Sequence, residues 1–407
     1  MPSSTSWPIS SDATDNRDKM YKILTFNNIS PRGLERLPRE RFEVSSEIQH
    51  PDAVLLRSAK LHDWAVPDTL KAVGRAGAGV NNIPMAAMNE RGIPVFNAPG
   101  ANANAVKELV LAGMFLAARN ICPAWAFAQT LEGDDATMNK AAEAGKKQFT
   151  GFELPGRTLG VIGLGAIGVS VANAAAALGM KVVGYDPKIT VRSAWNLQSG
   201  VYRAQSVDEV MTASDIVTLH VPEVDETRGM INAARLAASR EGQVLLNFAR
   251  AGIVDDDAIV KALDEGRLGR YVCDFPAAAL KGHDGVVALP HIGASTNEAQ
   301  ENCAIMAADE IRDFLETGNV TNSVNFPELI LPRNAGGDRL TVVNANVPNM
   351  LGQISSALAE AGLNIDDMYN KSQGELAYSV ADVGGTIPPA VIEQLQGIDG
   401  VLMVRVI

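Results

Sequence analysis

Thr158-Leu159-Gly160-Val161-Ile162-Gly163-Leu164-Gly165-Ala166-Ile167-Gly168 is the stretch on which the fold turns. A short apolar strand runs directly into Gly163, Gly165 and Gly168, a G-x-G-x-x-G pattern that opens a small-residue helix. The first glycine permits a tight turn, the second leaves room for a pyrophosphate, and the third lets helix and strand pack closely. Ala166 and Ile167 lie in the first helical turn, where free backbone N–H groups face a phosphate. Asp186 follows the next apolar strand, Lys181–Tyr185, where a carboxylate accepts bonds from ribose hydroxyls and disfavours a 2′-phosphate. NAD rather than NADP is the implied cofactor. A plain strand-end turn at Asp186-Pro187 is the competing reading of that acid.

Outward from this core, apolar strands alternate with helical stretches on both sides, which predicts parallel sheets covered by helices. Strands are expected at Lys22–Phe26, Ala53–Arg57, Ala72–Arg75 and Pro94–Asn97, then Thr158–Ile162, Lys181–Tyr185, Ile216–His220, Val244–Asn247 and Tyr271–Asp274. Val106–Arg119 reads as a buried helix and Val169–Leu178 as an alanine-rich one, and the charged, small-residue stretch Glu132–Lys147 leads into the second series. Ser295-Thr296-Asn297-Glu298 reads as a capping box opening a helix to about Thr317. That helix is expected to return to the first domain.

The last seventy or so residues change pattern to strand, helix, two strands, helix, strand, a ferredoxin-like βαββαβ domain expected to be independent. Asn346 before Pro348 reads there as a helix cap, and Thr386 as a second helix start. The fold class is therefore α/β, with two flavodoxin- or Rossmann-like parallel-sheet domains, the first discontinuous, and a C-terminal βαββαβ domain. The expected layout is a disordered extension over 1–19, a substrate domain over 20–100 and 296–326, and an NAD-binding domain over 101–295. A linker over 327–338 and the last domain over 339–407 complete it.

The chain has 407 residues, 46% of them hydrophobic, and 35 Lys and Arg against 47 Asp and Glu leave a net charge of −12. That balance disfavours a nucleic-acid partner, which needs clustered cations, but not a small anionic substrate held at one basic site. Cys122, Cys273 and Cys303 are scattered, which predicts neither disulfides nor a metal site and suits a cytoplasmic location. The apolar run Leu109–Ala118 is too short to span a bilayer, so no membrane partner is expected.

Three polar stretches follow the fingerprint: Asn247-Phe248-Ala249-Arg250-Ala251-Gly252, Cys273-Asp274-Phe275-Pro276 and Pro290-His291-Ile292-Gly293-Ala294-Ser295-Thr296. A guanidinium such as Arg250 binds a carboxylate through two parallel hydrogen bonds, and an imidazole such as His291 titrates near working pH. With Arg57-Ser58, Arg75-Ala76-Gly77-Ala78-Gly79-Val80 and Asn97-Ala98-Pro99-Gly100, these motifs resemble those of the D-isomer-specific 2-hydroxyacid dehydrogenases. The resemblance runs from about Tyr21 to the C-terminus. It implies that Arg250 anchors the substrate carboxylate and His291 takes the hydroxyl proton. It further implies that Asp274 holds the nicotinamide carboxamide, with Ala249, Gly293, His220 and Pro222 beside the cofactor. Arg57, Ser58 and the Gly77-Ala78-Gly79 loop are then implied to contact the substrate. The activity implied is oxidation of 3-phospho-D-glycerate to 3-phosphohydroxypyruvate.

The same resemblance places a glutamate that orients the histidine where this chain has Ala279, inside Ala277-Ala278-Ala279. Two other readings therefore stay open: a dehydrogenase of a different 2-oxo acid such as 2-oxoglutarate, and a catalytically impaired NAD-binding regulator. The C-terminal segment resembles an ACT regulatory domain, which implies L-serine as an effector at Asn344, Asn346 and Asn364. It also implies a homodimer or homotetramer, since the edge strands favour pairing between subunits.

Overall fold

The computed structural model describes residues 19–333 and 336–407. The extension expected over 1–19 lies outside the described residues except for Lys19. Two compact units result, one formed by the residues up to Ala101 with Gln300–Ile407, the other by Asn102–Ala299.

The first unit opens with five parallel strands: β1 (Tyr21–Phe26), β2 (Phe42–Ser45), β3 (Ala53–Leu56), β4 (Ala72–Arg75) and β5 (Val95–Asn97). Their order, β2-β1-β3-β4-β5, is the flavodoxin-like one. Strand β2 was not expected, because four residues at an edge give only Phe42 and Val44 as apolar signal. The helix Asn297–Thr317 crosses into this unit and buries Ala304, Ala307, Ala308, Ile311 and Phe314 against the sheet. Their three- and four-residue spacing is one helical face. Its cap is Thr296, whose hydroxyl accepts the Ala299 N–H at 3.1 Å, rather than the Ser295 of the expected capping box.

The second unit holds seven parallel strands: β6 (Thr158–Ile162), β7 (Lys181–Tyr185), β8 (Tyr202–Arg203), β9 (Ile216–Leu219), β10 (Gln243–Asn247), β11 (Leu268–Cys273) and β12 (Val286–Ala288). The order β12-β11-β10-β9-β6-β7-β8 makes the chain leave β6 to one side and return on the other. The glycine fingerprint thus ends the strand at the topological switch point, the usual ligand crevice of such sheets. Strands β8 and β12 are two and three residues long and carry too little periodicity to be foreseen. The charged stretch that leads into this unit forms the helix Asp135–Gly145, which Asp134 caps by accepting the Thr137 N–H. Among the described residues no single helix is long and apolar enough to cross a membrane.

The C-terminal strands β13 (Arg339–Ala345), β14 (Ile365–Gln373), β15 (Leu376–Val383) and β16 (Val401–Val406) pair antiparallel in the order β14-β15-β13-β16. Helices Met350–Glu360 and Pro389–Gln396 join them in the expected βαββαβ sequence. Neither helix starts where the sequence suggested. The first is entered through Asn349 at φ 67°, not capped by Asn346, and the second begins after Pro388, beyond Thr386.

This sheet is not an independent body. One face packs Leu340 and Val342 against Ile354 and Leu358 of the helix Met350–Glu360. The other sends Val343, Leu376, Tyr378 and Val380 into the core of the first unit, beside Phe314 and Phe326. The expected linker also differs: Leu329 and Leu331 are buried, and Leu329 exchanges backbone hydrogen bonds with Val320. Pro327 and Pro332 there flank apolar residues that pack into the core. Residues 334 and 335 of that segment lie outside the described residues.

Candidate active site

In the second unit every sequence-selected residue sits at or just beyond the carboxyl end of a strand. Gly163 has φ 93°, and a Cβ there would lie 2.4 Å from the His220 carbonyl oxygen. A Cβ on Gly168 would come within 1.9 Å of the Gly163 carbonyl, whereas one on Gly165 would meet nothing within 4 Å. These are the tight turn, the close helix contact and the open approach that a bound dinucleotide requires. The N–H groups of Gly165, Ala166 and Ile167 have no acceptor among the described residues. Asp186 accepts the Leu164 N–H and the Lys188 N–H, both at 2.8 Å. It both braces the fingerprint loop and closes a local turn, and each oxygen retains a lone pair for a ribose hydroxyl.

After β9, the His220 ring meets the Thr218 hydroxyl at 2.9 Å, and burial pushes its pKa down to about 3. It is a neutral wall. Pro222, two residues on, is exposed. After β10, the buried Asn247 side chain donates to the Arg250 carbonyl at 2.9 Å and accepts the Ala249 N–H at 3.2 Å. Asn247 therefore fixes the loop that carries Arg250, a role that sequence reasoning missed. A polar residue ending an otherwise apolar strand was the available signal, since buried amides find partners. Arg250 is exposed and donates to the Ala249 carbonyl at 2.6 Å.

Asp274 follows β11 and is 1% exposed. One carboxyl oxygen accepts the Gly293 N–H at 3.3 Å and the other, Oδ1, is buried without a partner among the described residues. Burial raises its pKa, opposed in turn by the nearby His291. The lone Oδ1 fits an incoming carboxamide N–H. His291, after β12, is exposed, has φ 38°, and makes no side-chain hydrogen bond among the described residues. Ala279 is exposed too. Asp284, the remaining acid on that loop, is not brought to the imidazole, and His283 pairs with Asp264 at 3.2 Å.

In the first unit, Arg57 directly follows β3 and Arg75 ends β4, whose residues pair in register up to Leu56 and Arg75. Both guanidiniums act on the buried Cys303 thiol, whose pKa burial raises and they lower. Arg75 is a cation that the sequence reading left without a role, although it closes its strand just as Arg57 does. A Cβ on Gly77 would sit 1.7 Å from the Arg75 Nη1, so this glycine makes room for the side chain. The Gly77 N–H is engaged by the Arg75 carbonyl at 2.7 Å, leaving those of Ala78 and Gly79 without acceptors among the described residues. Ser58 donates its N–H to the Asn27 side chain at 3.0 Å.

Asn344 is buried on β13 and donates to the Ala345 carbonyl at 2.7 Å. Asn346 donates to Gly374 at 3.1 Å and Asn364 to Asp366 at 2.9 Å. Within one chain, Asn346 and Asn364 lie at opposite ends of β15, a strand of 8 residues that spans roughly 26 Å.

The family model described as D-isomer specific 2-hydroxyacid dehydrogenase, NAD binding domain, matches residues 113–293. The chain is 36% identical over 351 residues to a D-3-phosphoglycerate dehydrogenase of Haemophilus influenzae, covering 83% of this chain and 81% of that one. It is 33% identical over 355 residues to the D-3-phosphoglycerate dehydrogenase of Escherichia coli, covering 84% and 82%. Among solved structures, it is similar to an NAD+-bound 3-phosphoglycerate dehydrogenase of Entamoeba histolytica. There the TM-score is 0.59 and the identity 27%, over 76% of this chain and 100% of that one.

Proposed function

The chain belongs to the D-isomer specific 2-hydroxyacid dehydrogenase family, and from that premise we propose that it oxidises 3-phospho-D-glycerate to 3-phosphohydroxypyruvate. It is an NAD-dependent oxidoreductase. The observation that carries the choice of substrate is the pair Arg57 and Arg75, two cations ending adjacent strands in an acidic protein. A phosphorylated acid offers two anionic groups, and the two guanidinium forks on these adjacent strands suit such a charge.

The glycine turn, the free N–H groups of the Gly165 to Ile167 turn, Asp186 and the Asp274 Oδ1 would hold the dinucleotide. When bound, NAD supplies the acceptor for the hydride leaving substrate C2. Arg250 holds the carboxylate and polarises the oxygen that becomes the carbonyl. His291 accepts the hydroxyl proton as the C–O bond gains double-bond character. Ala78 and Gly79 offer two N–H donors to an anionic group.

NADH oxidation with 3-phosphohydroxypyruvate tests this reading, with 2-oxoglutarate and other 2-oxo acids run alongside. The phosphorylated substrate should give the highest kcat/KM, and Arg57→Ala and Arg75→Ala should each raise its KM without abolishing turnover. Preference for 2-oxoglutarate would overturn the substrate assignment. Tight NADH binding with no turnover on any 2-oxo acid would favour a regulator, the reading that Ala279 keeps open.

The regulatory and cellular proposals are separate. L-serine binds at Asn344, Asn346 and Asn364 only if a second copy brings Asn364 opposite the other two, so the site requires a homodimer or homotetramer. Calorimetry without a serine signal would count against it. The location proposed is cytoplasmic, on the dispersed cysteines, all free.

A further inference from the structure

His291 has lost the carboxylate that its family resemblance leads one to expect, yet its surroundings are specific. Its backbone sits at φ 38°, a left-handed conformation that non-glycine residues seldom adopt and that neighbouring structure must impose. The His291 N–H donates to two carbonyls at once, Asp274 at 2.9 Å and Leu289 at 3.1 Å. Two residues on, the Gly293 N–H donates to the Asp274 carboxylate at 3.3 Å. The segment Asp274-Phe275 thus grips the backbone on both sides of the histidine.

The same segment supplies a contact to the ring itself. The Phe275 and His291 rings lie 5.0 Å apart, centroid to centroid, tilted by 51°. Phe275 is only half-buried, and His291 is the one ring it meets among the described residues. Its backbone is anchored in turn, since its carbonyl accepts the Cys273 S–H at 3.6 Å. A clamped backbone fixes where the imidazole starts, and a flat neighbour restricts how it turns about its last torsion. Both constraints come without a charge beside the ring.

We propose that Phe275 is the positioning residue of His291 in this chain, orienting the imidazole by ring packing in place of a hydrogen-bonded carboxylate at Ala279. The proposal rests on the reading of His291 as the proton acceptor. Removing the aromatic ring frees the imidazole to rotate, which lowers the productive fraction in every turnover. Substrate and cofactor affinity have no reason to change with it.

Phe275→Leu, Phe275→Tyr and His291→Gln are compared by steady-state NADH oxidation with 3-phosphohydroxypyruvate, together with NADH binding by fluorescence and thermal melting. Phe275→Leu should lower kcat at least ~10-fold, the scale of a small misplacement, with KM and the NADH Kd held within about twofold. Phe275→Tyr, which keeps the ring, should retain kcat within about threefold. If Phe275→Leu melts early, Phe275→Met, of similar bulk, takes its place. Unchanged kcat in the Leu variant overturns the proposal. So does an equal loss in the Tyr and Leu variants, or a loss of NADH binding in step with kcat, which marks a merely structural role. Full activity in His291→Gln would instead remove the proton-acceptor reading beneath it.

Discussion

Glu310 lies on the inner side of the helix Asn297–Thr317 with 5% of its surface exposed. One carboxyl oxygen accepts the Asn322 amide at 2.7 Å and the other has no partner among the described residues. Burial raises its pKa to about 8, the Asn322 bond opposing and Asp309 adding to the shift. The folded chain therefore keeps this proton while the unfolded chain gives it up above about pH 4.5. Stability from this group is complete below pH 4.5 and is lost progressively as the pH rises towards 8. Glu310→Gln, which keeps the bond to Asn322, should flatten that dependence and stabilise the protein by at least ~1 kcal/mol at pH 8. Urea midpoints at pH 5 and pH 8 check it; an equal change at both would refute the assignment.

Ala279 carries the second prediction at this scale. A carboxylate beside an imidazole favours the imidazolium form. Ala279→Glu should therefore move the acidic limb of the oxidation profile to higher pH and raise kcat. An unchanged pH–rate profile would sink it. Single residues were the most legible part of the sequence where backbone geometry restricts the choice: Gly163 makes the tight turn and Gly168 the close contact expected of them. Asn247, Arg75 and Phe275 were quoted within motifs yet given no role, because their work depends on which backbone or ring folds against them.

At the scale of elements, Arg339 ties β13 to its surroundings more tightly than any other side chain described. It is fully buried and meets both Asp382 oxygens, at 2.6 and 2.8 Å, and the carbonyls of Thr317, Leu331 and Pro332. One guanidinium thereby closes a helix end, a packed turn and two strands. Arg339→Met leaves Asp382 buried and without its cation, which costs about 3–5 kcal/mol. A double variant with Asp382→Leu should recover much of that loss, because paired removal strands no charge. Chemical denaturation of the three variants checks both statements. Thr296→Ala should cost only ~1 kcal/mol, the usual loss of an N-cap. Most strands with apolar runs were readable within a residue or two, β11 starting three residues before the expected Tyr271. Caps were not, because Ser295 and Thr296, or Asn346 and Asn349, offer equivalent chemistry a few residues apart and tertiary packing selects one.

For the whole molecule, the expected picture of a free C-terminal domain on a linker fails at Tyr378. That side chain is fully buried, donates to the Gly318 carbonyl at 2.6 Å and lies tilted against the Phe314 and Phe326 rings. Composition shows that a segment is rich in proline and glycine; it does not show which apolar neighbours those residues serve. Ending the chain at Arg333 should accordingly expose Phe314 and Phe326 and give a protein that binds a hydrophobic dye or aggregates. A clean, dye-silent monomer with a normal melt would show that the C-terminal sheet is dispensable.

The core of the first unit joins Tyr21 and Phe42 to Phe314 and Tyr378, while the second unit is one unbroken stretch of chain. During synthesis at about 5–20 residues per second, the second unit can assemble while the ribosome is still working. The first must wait. Its opening strands leave the ribosome roughly 15 s to a minute before the helix and sheet that cover them. For that interval β1, β3 and β4 present apolar faces with nothing to pack on, so the nascent protein is exposed to misassociation and to chaperones until its last seventy residues emerge.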